Sequence, residues 1–274
     1  MGNFMAVPKN YVWDAKDYAD NSQHQYQWAK ELMSKLNLKG TEVVLDVGCG
    51  AGKITMELAN QLPNGRVVGI DSSEQMINLA KSTVSLSKYS NLSFEVMDAR
   101  NISFQEEFDL VFSNAALHWI LDQTSVLKGV NRCLKPQGRL LFQMGGRGNT
   151  EAVLICFDEL RILPEWERYF SGFSFPYSFL DIEEYRILLN EAKLTPLRVE
   201  LLPKVMTFFD AEGLAGFVRT TCLPYTERVP TELRDTLVKK VVERYISRHS
   251  INKKDPIHVD MMRLEVEAQK ISSA

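Results

Sequence analysis

Five short apolar runs alternate with helical patterns over the first half of this 274-residue chain. The first run, Glu42–Val47, is β-branched and almost uninterrupted, which is typical of a strand buried on both faces. The five runs cover residues 42–47, 66–71, 92–97, 108–112 and 139–144. Short strands that alternate with helices predict an α/β fold, in which a parallel sheet carries helices on both faces.

The pattern changes after Gly145 and Gly146. Helical patterns cover residues 150–163, 181–192, 211–221 and 231–249, and an aromatic-rich stretch covers residues 170–179. Two further strands are predicted at residues 197–208, where Pro203 suggests an edge or a bulge, and at residues 259–268. The last run alternates apolar residues with Arg263, Glu265 and Glu267, which predicts a half-exposed strand.

Composition excludes several classes of protein. The net charge is −3, which disfavours binding to a nucleic-acid backbone. No apolar stretch approaches 18 residues and the N-terminus lacks a signal-peptide layout, so we expect no membrane span and a cytoplasmic location. The four histidines show no metal-ligand spacing, and we expect no metal. The cysteines are far apart, and we expect reduced, mostly buried thiols at Cys49, Cys133, Cys156 and Cys222.

A glycine-rich turn, with Gly48, Gly50 and Gly52, joins the first strand to the next helix. Glycines at such a turn let a ligand approach the backbone closely. The spacing differs from the G-x-G-x-x-G dinucleotide turn, because Lys53 stands where the third glycine belongs. Ile54 after Lys53 also excludes a Gly-Lys-Ser/Thr phosphate loop. The turn taken alone is a weak signal, and a merely structural role is the alternative.

Two acids give this turn a chemical context. Asp71 ends the second strand and Asp98 ends the third. Ligands of open parallel sheets bind at the carboxyl ends of the strands. One acid there can accept both hydroxyls of a ribose, and the other can accept the exocyclic amine of a base. The pattern indicates an adenosine whose 5′ substituent lies over the glycines, although either Asp alone could be a cap or turn residue.

The segments Val44–Gly52, Gly69–Ser73 and Met97–Ala99 resemble the class I S-adenosylmethionine-dependent methyltransferases. The resemblance covers roughly residues 36–144. It implies a seven-stranded, Rossmann-like sheet whose last strand is antiparallel, with helical cap insertions over it. It also implies S-adenosyl-L-methionine as the cofactor.

The same resemblance implies roles for individual residues. The glycines line the methionine moiety, Asp71 holds the ribose, and Asp98 holds the adenine amine. Met76 packs near the adenine, unless it is only a core residue of its helix. The full set of implied cofactor-binding residues is Asp46, Gly48, Gly50, Gly52, Asp71, Ser72, Met76, Asp98, Ala99 and Asn114.

A finer resemblance concerns the methyl acceptor. Residues 113–123 are similar to the trans-aconitate, juvenile-hormone acid and malonyl-thioester methyltransferases, which esterify a carboxylate. Trp13–Tyr18 and, more loosely, residues 216–225 resemble the trans-aconitate group. In those enzymes a Gln amide and a Trp indole N–H hold the acceptor carboxylate. Gln25 and Trp119 fall at these places, with Gln23 as an alternative to Gln25.

The chemistry agrees with a carboxylate acceptor. A carboxylate is already ionised at neutral pH, because its pKa is about 4, and it needs alignment and desolvation rather than a base. His118 is the base candidate nearby, or else a packed side chain at the strand end. Arg147 and Arg219 are candidates to pair with a second acid group on a polyacid, or else surface residues.

The predicted organisation has three parts. Residues 1–40 form a helical segment that closes the cofactor site, and residues 41–145 form the cofactor-binding core. Residues 146–274 complete the sheet at about 181–208 and 259–268, with cap insertions at about 146–180 and 209–258. The partners expected are a small-molecule carboxylic acid and, for a homodimer, a second copy; a monomer is the alternative. A carbon or nitrogen methyltransferase and a catalytically silent cofactor-binding protein remain alternative functions.

Overall fold

The computed structural model describes residues 23–84, 89–249 and 255–271, so the predicted motif Trp13–Tyr18 lies outside the described residues. The strands are β1 (Val43–Val47), β2 (Arg66–Asp71), β3 (Leu92–Val96), β4 (Phe108–Asn114), β5 (Leu134–Gly145), β6 (Leu194–Phe208) and β7 (Ile257–Lys270). The helices are α1 (Gln23–Met33), α2 (Lys53–Asn60), α3 (Glu74–Thr83), α4 (Gln123–Cys133), α5 (Glu151–Arg161), α6 (Pro164–Glu167), α7 (Ile182–Glu191), α8 (Ala211–Thr221), α9 (Leu223–Thr226) and α10 (Thr231–His249). Short 3-10 turns cover Ala99–Asn101 and Leu117–Trp119.

The strands form one seven-stranded sheet in the order β3-β2-β1-β4-β5-β7-β6. Strands β1 to β5 pair in parallel, and β7 is antiparallel to both of its neighbours, β5 and β6. The predicted fold, including the antiparallel last strand, is confirmed. The chain order reverses between β1 and β4, so the site expected at the carboxyl ends of β1, β2 and β4 lies at the switch point.

The two strands predicted in the second half of the chain have different outcomes. Strand β6 is an edge strand, as Pro203 indicated. The prediction of a half-exposed β7 is wrong, because Arg263 and Glu265 are only 3% and 1% exposed. Strand β7 lies inside the sheet, and the charge of Glu265 is compensated there by Lys35 and Arg198. The alternation therefore marks a buried polar face rather than a solvent face.

Apolar packing divides the protein into three clusters. One lies on the sheet face covered by α4 and α7 and includes Val126 and Tyr185. A second lies on the opposite face with α2 and α3. The third holds the cap helices, mainly α5, α8 and α10, against β6 and β7. Helix α1 joins two of them, because Trp28 packs in the cap cluster whereas Leu32 packs in the α2–α3 cluster.

Within the described part of the chain, no helix is both long and apolar enough to cross a membrane. The four cysteines are free and buried. No group of three or more His, Cys, Asp or Glu residues suited to a metal ion occurs among the residues described.

Candidate active site

The glycine-rich turn is held against the neighbouring strand by backbone hydrogen bonds. The N–H groups of Gly48 and Cys49 donate to the carbonyl oxygen of Ile70 over 2.8 and 3.0 Å. All three predicted glycines have positive φ angles, of 74° at Gly48, 53° at Gly50 and 79° at Gly52. These left-handed conformations are accessible to glycine at little cost, which explains the residue type at each position.

The space around each glycine shows whether packing or access for a ligand requires the absence of a side chain. A Cβ on Gly48 would lie 2.2 Å from the Cβ of Ala116, and one on Gly52 would lie 2.6 Å from the Phe94 ring. A Cβ on Gly50 would meet no heavy atom within 4 Å. Gly48 and Gly52 are therefore required by packing, whereas Gly50 borders open space that a ligand can enter.

Asp71 lies beside this open space. Its Oδ2 accepts a 3.0 Å hydrogen bond from the Gly50 N–H, and its Oδ1 accepts a 2.8 Å bond from the Ser73 N–H. Burial raises the pKa of Asp71, although the two backbone donors partly oppose the shift. A carboxylate fixed in this way retains lone pairs for two further hydrogen-bond donors, such as the hydroxyls of a ribose.

Asp46 lies beneath the turn in β1. It is fully buried, and its Oδ2 accepts a 2.7 Å hydrogen bond from the Thr55 hydroxyl of α2. Burial and the nearby Asp71 raise the pKa of Asp46 to about 7, against the lowering effect of the Thr55 hydrogen bond. Each of the two acids, where ionised, adds negative charge to the site, which suits a cationic sulfonium cofactor.

The remaining predicted cofactor residues differ in their burial and in their contacts. Asp98 follows β3, and its carboxylate is held by the backbone and guanidinium of Arg100, whose hydrogen bonds lower the pKa of Asp98. Ala99 is buried directly after it. Met76 is buried in α3, as expected of a core residue, and Ser73 rather than the exposed Ser72 caps that helix. The adenine role of Asp98 thus requires it to share its carboxylate with Arg100.

Asn114, at the end of β4, connects the sheet to α1. Its Nδ2 donates a 3.2 Å hydrogen bond to the backbone oxygen of Gln25. Its Oδ1 is buried and has no hydrogen-bond partner among the described residues. Asn114 and Asp71 each end a parallel strand at the same edge of the sheet, so a donor group of a cofactor bound at that edge can satisfy the buried oxygen. With the open face of Gly50, this site fits S-adenosylmethionine.

A cavity of about 40 Å³ lies between the strand ends and the cap. The predicted acceptor residues Gln25, His118 and Trp119 all line it. The side chain of Gln23, the alternative to Gln25, lies outside the described residues. The cavity has room for a few water molecules.

His118 is a neutral hydrogen-bond donor in this cavity. The Gly145 N–H points at its Nδ1 over 3.4 Å, which places the ring proton on Nε2. Burial, together with the positive charge of Arg263, holds the pKa of His118 well below its usual value. Neither ring nitrogen then offers a lone pair to a substrate proton, so the structure does not favour His118 as a general base.

The arginines predicted to bind a second acid group lie elsewhere. Arg147 is 57% exposed and pairs with Asp181 and Glu184, and Arg219 is 3.6 Å from Glu212. Neither lines the cavity, whereas Arg263 of β7 does. The sequence interpretation missed Arg263 because β7 was taken to have a solvent face. The resemblance implied an antiparallel last strand, which would lie inside the sheet. That expectation could have identified Arg263 as a buried residue.

Residues 38–169 match the family model described as a methyltransferase domain. The match covers just under half of the chain, and together with the seven-stranded sheet it supports a methyltransferase domain, the coarser part of the predicted enzyme class. The cofactor of this class, S-adenosylmethionine, is the one predicted from the sequence.

Individual relatives extend the comparison. Malonyl-[acyl-carrier protein] O-methyltransferase of Priestia megaterium is 28% identical over 243 residues, which cover 83% of this chain and 86% of that protein. Trans-aconitate 2-methyltransferase of Shigella flexneri is 35% identical over 132 residues, about half of each protein (48% of this chain and 50% of the relative). Geranyl diphosphate C-methyltransferase from Streptomyces coelicolor has the same fold, with a TM-score of 0.56, 15% identity and coverage of 97% of this chain and 88% of that one.

Proposed function

We propose that this methyltransferase transfers the methyl group of S-adenosylmethionine to an oxygen of a small-molecule carboxylate and forms a methyl ester. In this proposal residues 1–40 close the cofactor site, residues 41–145 bind the cofactor, and residues 146–274 cover the acceptor.

The observation that carries the proposal is that the described wall of the cavity offers no general base. The lone pair of His118 Nδ1 accepts from the Gly145 N–H, and the ring proton then lies on Nε2, so the neutral ring has no free lone pair for a substrate proton. Burial raises the pKa of the Cys222 thiol to about 12, so this wall residue stays protonated. None of the described residues that line the cavity is an Asp or a Glu. A hydroxyl or carbon acceptor would need a base to remove its proton, whereas a carboxylate already carries the reacting charge.

Gln25 and Trp119 supply neutral donors on this wall. Gln25 is 9% exposed, and its Oε1 has no hydrogen-bond partner among the described residues. A half-turn of the amide exchanges its oxygen and nitrogen, so the same position can present an N–H to an acceptor oxygen. Two neutral donors orient a carboxylate while leaving most of its nucleophilicity, which a cationic partner would reduce.

The cofactor, when bound, supplies an electrophilic methyl group on a positively charged sulfur. The residues that would hold it are Gly50, which leaves space at the turn, Asp71, which accepts from ribose hydroxyls, and Asn114, whose Oδ1 accepts a donor. The Asp71 carboxylate, and that of Asp46 where it is ionised, would favour the cation electrostatically. The hydrogen bond from Asn114 to Gln25 links this half of the site to the acceptor half.

The names of two relatives support the acceptor class. One is an O-methyltransferase for malonyl-[acyl-carrier protein] and the other methylates trans-aconitate, and both substrates carry carboxylates.

The test is incubation with methyl-tritiated S-adenosylmethionine and a panel of small mono- and dicarboxylic acids. We expect label in an organic-extractable product that mild base releases as methanol, the signature of an ester. Label that resists base would instead indicate a carbon or nitrogen product. No transferred label, with calorimetry still showing cofactor binding, would support a silent binding protein.

A further inference from the structure

Helix α1 contributes side chains to the acceptor half of the site and is bonded to the cofactor half. Its first turn carries Gln25, which lines the cavity, and the backbone oxygen of Gln25 accepts the hydrogen bond from Asn114. Trp28, about one turn later, also lines the cavity and packs in the cap cluster. The position of α1 therefore determines where the Gln25 amide lies relative to a cofactor bound at the strand ends.

Tyr26, the next residue along α1, contacts the helix that follows the glycine-rich turn. Its hydroxyl donates a 2.5 Å hydrogen bond to Oε1 of Glu57 in α2, and this bond raises the pKa of Tyr26. Nζ of Lys53, the first residue of α2, lies 3.8 Å from the centre of the Tyr26 ring. A cation at this distance over an aromatic face is attracted by the ring. One side chain of α1 thus contacts charged residues on two successive turns of α2.

The start of α2 is unusual for a helix, because a lysine stands at its first position. The positive end of the helix dipole repels a cation there. The first turn of α2 holds no acidic residue, and Gly52 before it provides no side-chain cap. The Tyr26 ring gives the Lys53 ammonium group a compensating contact. That contact fixes the residue directly after Gly52, so Tyr26 is connected to the glycine-rich turn itself.

The seam between α1 and α2 is open beyond this contact. A cleft of about 240 Å³ lies there, and it is lined by Lys30, Met33, Ser34, Leu36, Glu57 and Gln61. Because part of the seam is not filled by side chains, the polar contacts of Tyr26 have more influence on how the first turn of α1 is oriented against α2.

We propose that Tyr26 is a positioning residue for methyl transfer, which holds Gln25 in place relative to the bound cofactor by joining the first turn of α1 to Glu57 and Lys53. This inference rests on the proposed function, in which Gln25 orients the acceptor carboxylate. Asn114 holds this turn from the sheet, and Tyr26 holds it from α2. Tyr26 is not among the described residues that line the cavity, so it acts through Gln25 rather than on the acceptor.

The kinetic experiment is a double-mutant cycle of Tyr26→Phe with Gln25→Ala, read as kcat/KM for an acid that the enzyme esterifies. Tyr26→Phe should lower this value by about 3- to 10-fold, as expected for one lost hydrogen bond, and leave the KM for S-adenosylmethionine within about twofold. In the Gln25→Ala background, Tyr26→Phe should cause no further loss. Equal losses in the two backgrounds, or no loss in either, would overturn the inference.

Two variants control for general effects on the fold. Glu57→Gln keeps an acceptor for the Tyr26 hydroxyl and should retain activity within about twofold, whereas Glu57→Ala should resemble Tyr26→Phe. Tyr169→Phe is the matched control, because it removes the hydroxyl of another half-buried tyrosine that bonds to a charged side chain, Arg168. It lies in the cap and should change neither kinetic constant.

Hydrogen exchange measured by mass spectrometry separates the inference from the proposed function, because it needs no acceptor. In the wild type, saturation with S-adenosylhomocysteine should slow amide exchange in α1 as well as in the glycine-rich turn. In Tyr26→Phe the slowing in α1 should be about threefold or more smaller, with the slowing in the turn unchanged. If no acid is esterified, the proposed function fails and this measurement alone decides the role of Tyr26. Equal slowing of α1 in both proteins would overturn the inference.

Discussion

The N–H of Gly50 donates a 3.0 Å hydrogen bond to Oδ2 of Asp71. This bond joins the turn after β1 to the carboxyl end of β2, two segments that the sequence presents as separate motifs. The other oxygen of Asp71 accepts from the Ser73 N–H at the start of α3. The acid therefore orders the loop around the cofactor site before any ligand arrives, and the turn and the acid act as one unit.

Replacement of Asp71 by Ala should weaken S-adenosylmethionine binding about 100-fold or more. Two charge-assisted bonds to the ribose are lost, each contributing about 1.5–3 kcal/mol. Calorimetry measures the affinity, and Asp71→Asn is the control, since it keeps an acceptor for one backbone N–H while removing the charge. An Asp71→Ala affinity within about twofold of the wild type would contradict the assignment.

Gly50→Val should abolish cofactor binding while the protein still folds. The new side chain enters space that is open within 4 Å, so it competes with the ligand rather than with the core. Its positive φ adds a backbone cost of about 1–2 kcal/mol. The matched variant is Gly48→Val, which must clash with Ala116 and should lower the melting temperature far more. Normal binding by folded Gly50→Val would show that the turn is structural only.

The stability of the cofactor-free protein should depend on Asp46 in a defined direction. Because the folded-state pKa is raised to about 7, the protonated acid stabilises the fold below pH 4, and this contribution is lost as the pH rises through 7. Asp46→Asn keeps an acceptor for Thr55 and does not titrate. In urea unfolding, the free energy of unfolding of Asp46→Asn relative to that of the wild type should therefore increase between pH 4 and pH 8, by up to about 4 kcal/mol. A difference that does not change with pH would contradict this.

The acceptor clamp can be tested with Gln25→Ala and Trp119→Phe. Each should reduce kcat/KM for the carboxylic acid by about 10-fold or more, as expected for a lost hydrogen bond of about 1.5 kcal/mol. Cofactor affinity should hardly change. Trp119→Phe retains most of the ring packing against Tyr177, so it isolates the indole N–H. Unchanged kinetics in both variants would contradict the assignment of Gln25 and Trp119 and would indicate an acceptor site nearer His118 and the cap.

The cofactor half of the fold is predictable from the sequence because its determinants are local. A buried parallel strand reads as an apolar run, as in Val43–Val47, and the turn after it needs glycine at positive φ. Asp71 and Asn114 follow from the rule that ligands meet the carboxyl ends of strands. The contact of Asp98 with Arg100 is also local, but nothing in the sequence shows whether a carboxylate binds its neighbour or a ligand.

The acceptor half resists prediction because its contacts are distant along the chain. Trp28 and Arg263 meet across more than 230 residues, a pairing that no periodic pattern contains. The alternating pattern of β7 correctly predicted a strand but wrongly predicted that its polar face is exposed. A polar face can be buried when opposite charges such as Lys35 and Glu265 meet there. The surface positions of Arg147 and Arg219 agree with the alternative that the sequence analysis gave for them.

Strand β7 separates β5 from β6, although it follows both along the chain. During synthesis, β5 and β6 therefore emerge with edges that only a strand made more than 45 residues after β6 can join. The parallel strands β1 to β5 can assemble first, whereas closure of the acceptor side waits for a long-range insertion between two strands already made. The insertion of β7, which carries Arg263, should therefore be the last step of sheet formation. A sheet in which β5 pairs directly with β6 is the misfolded state expected if that step fails.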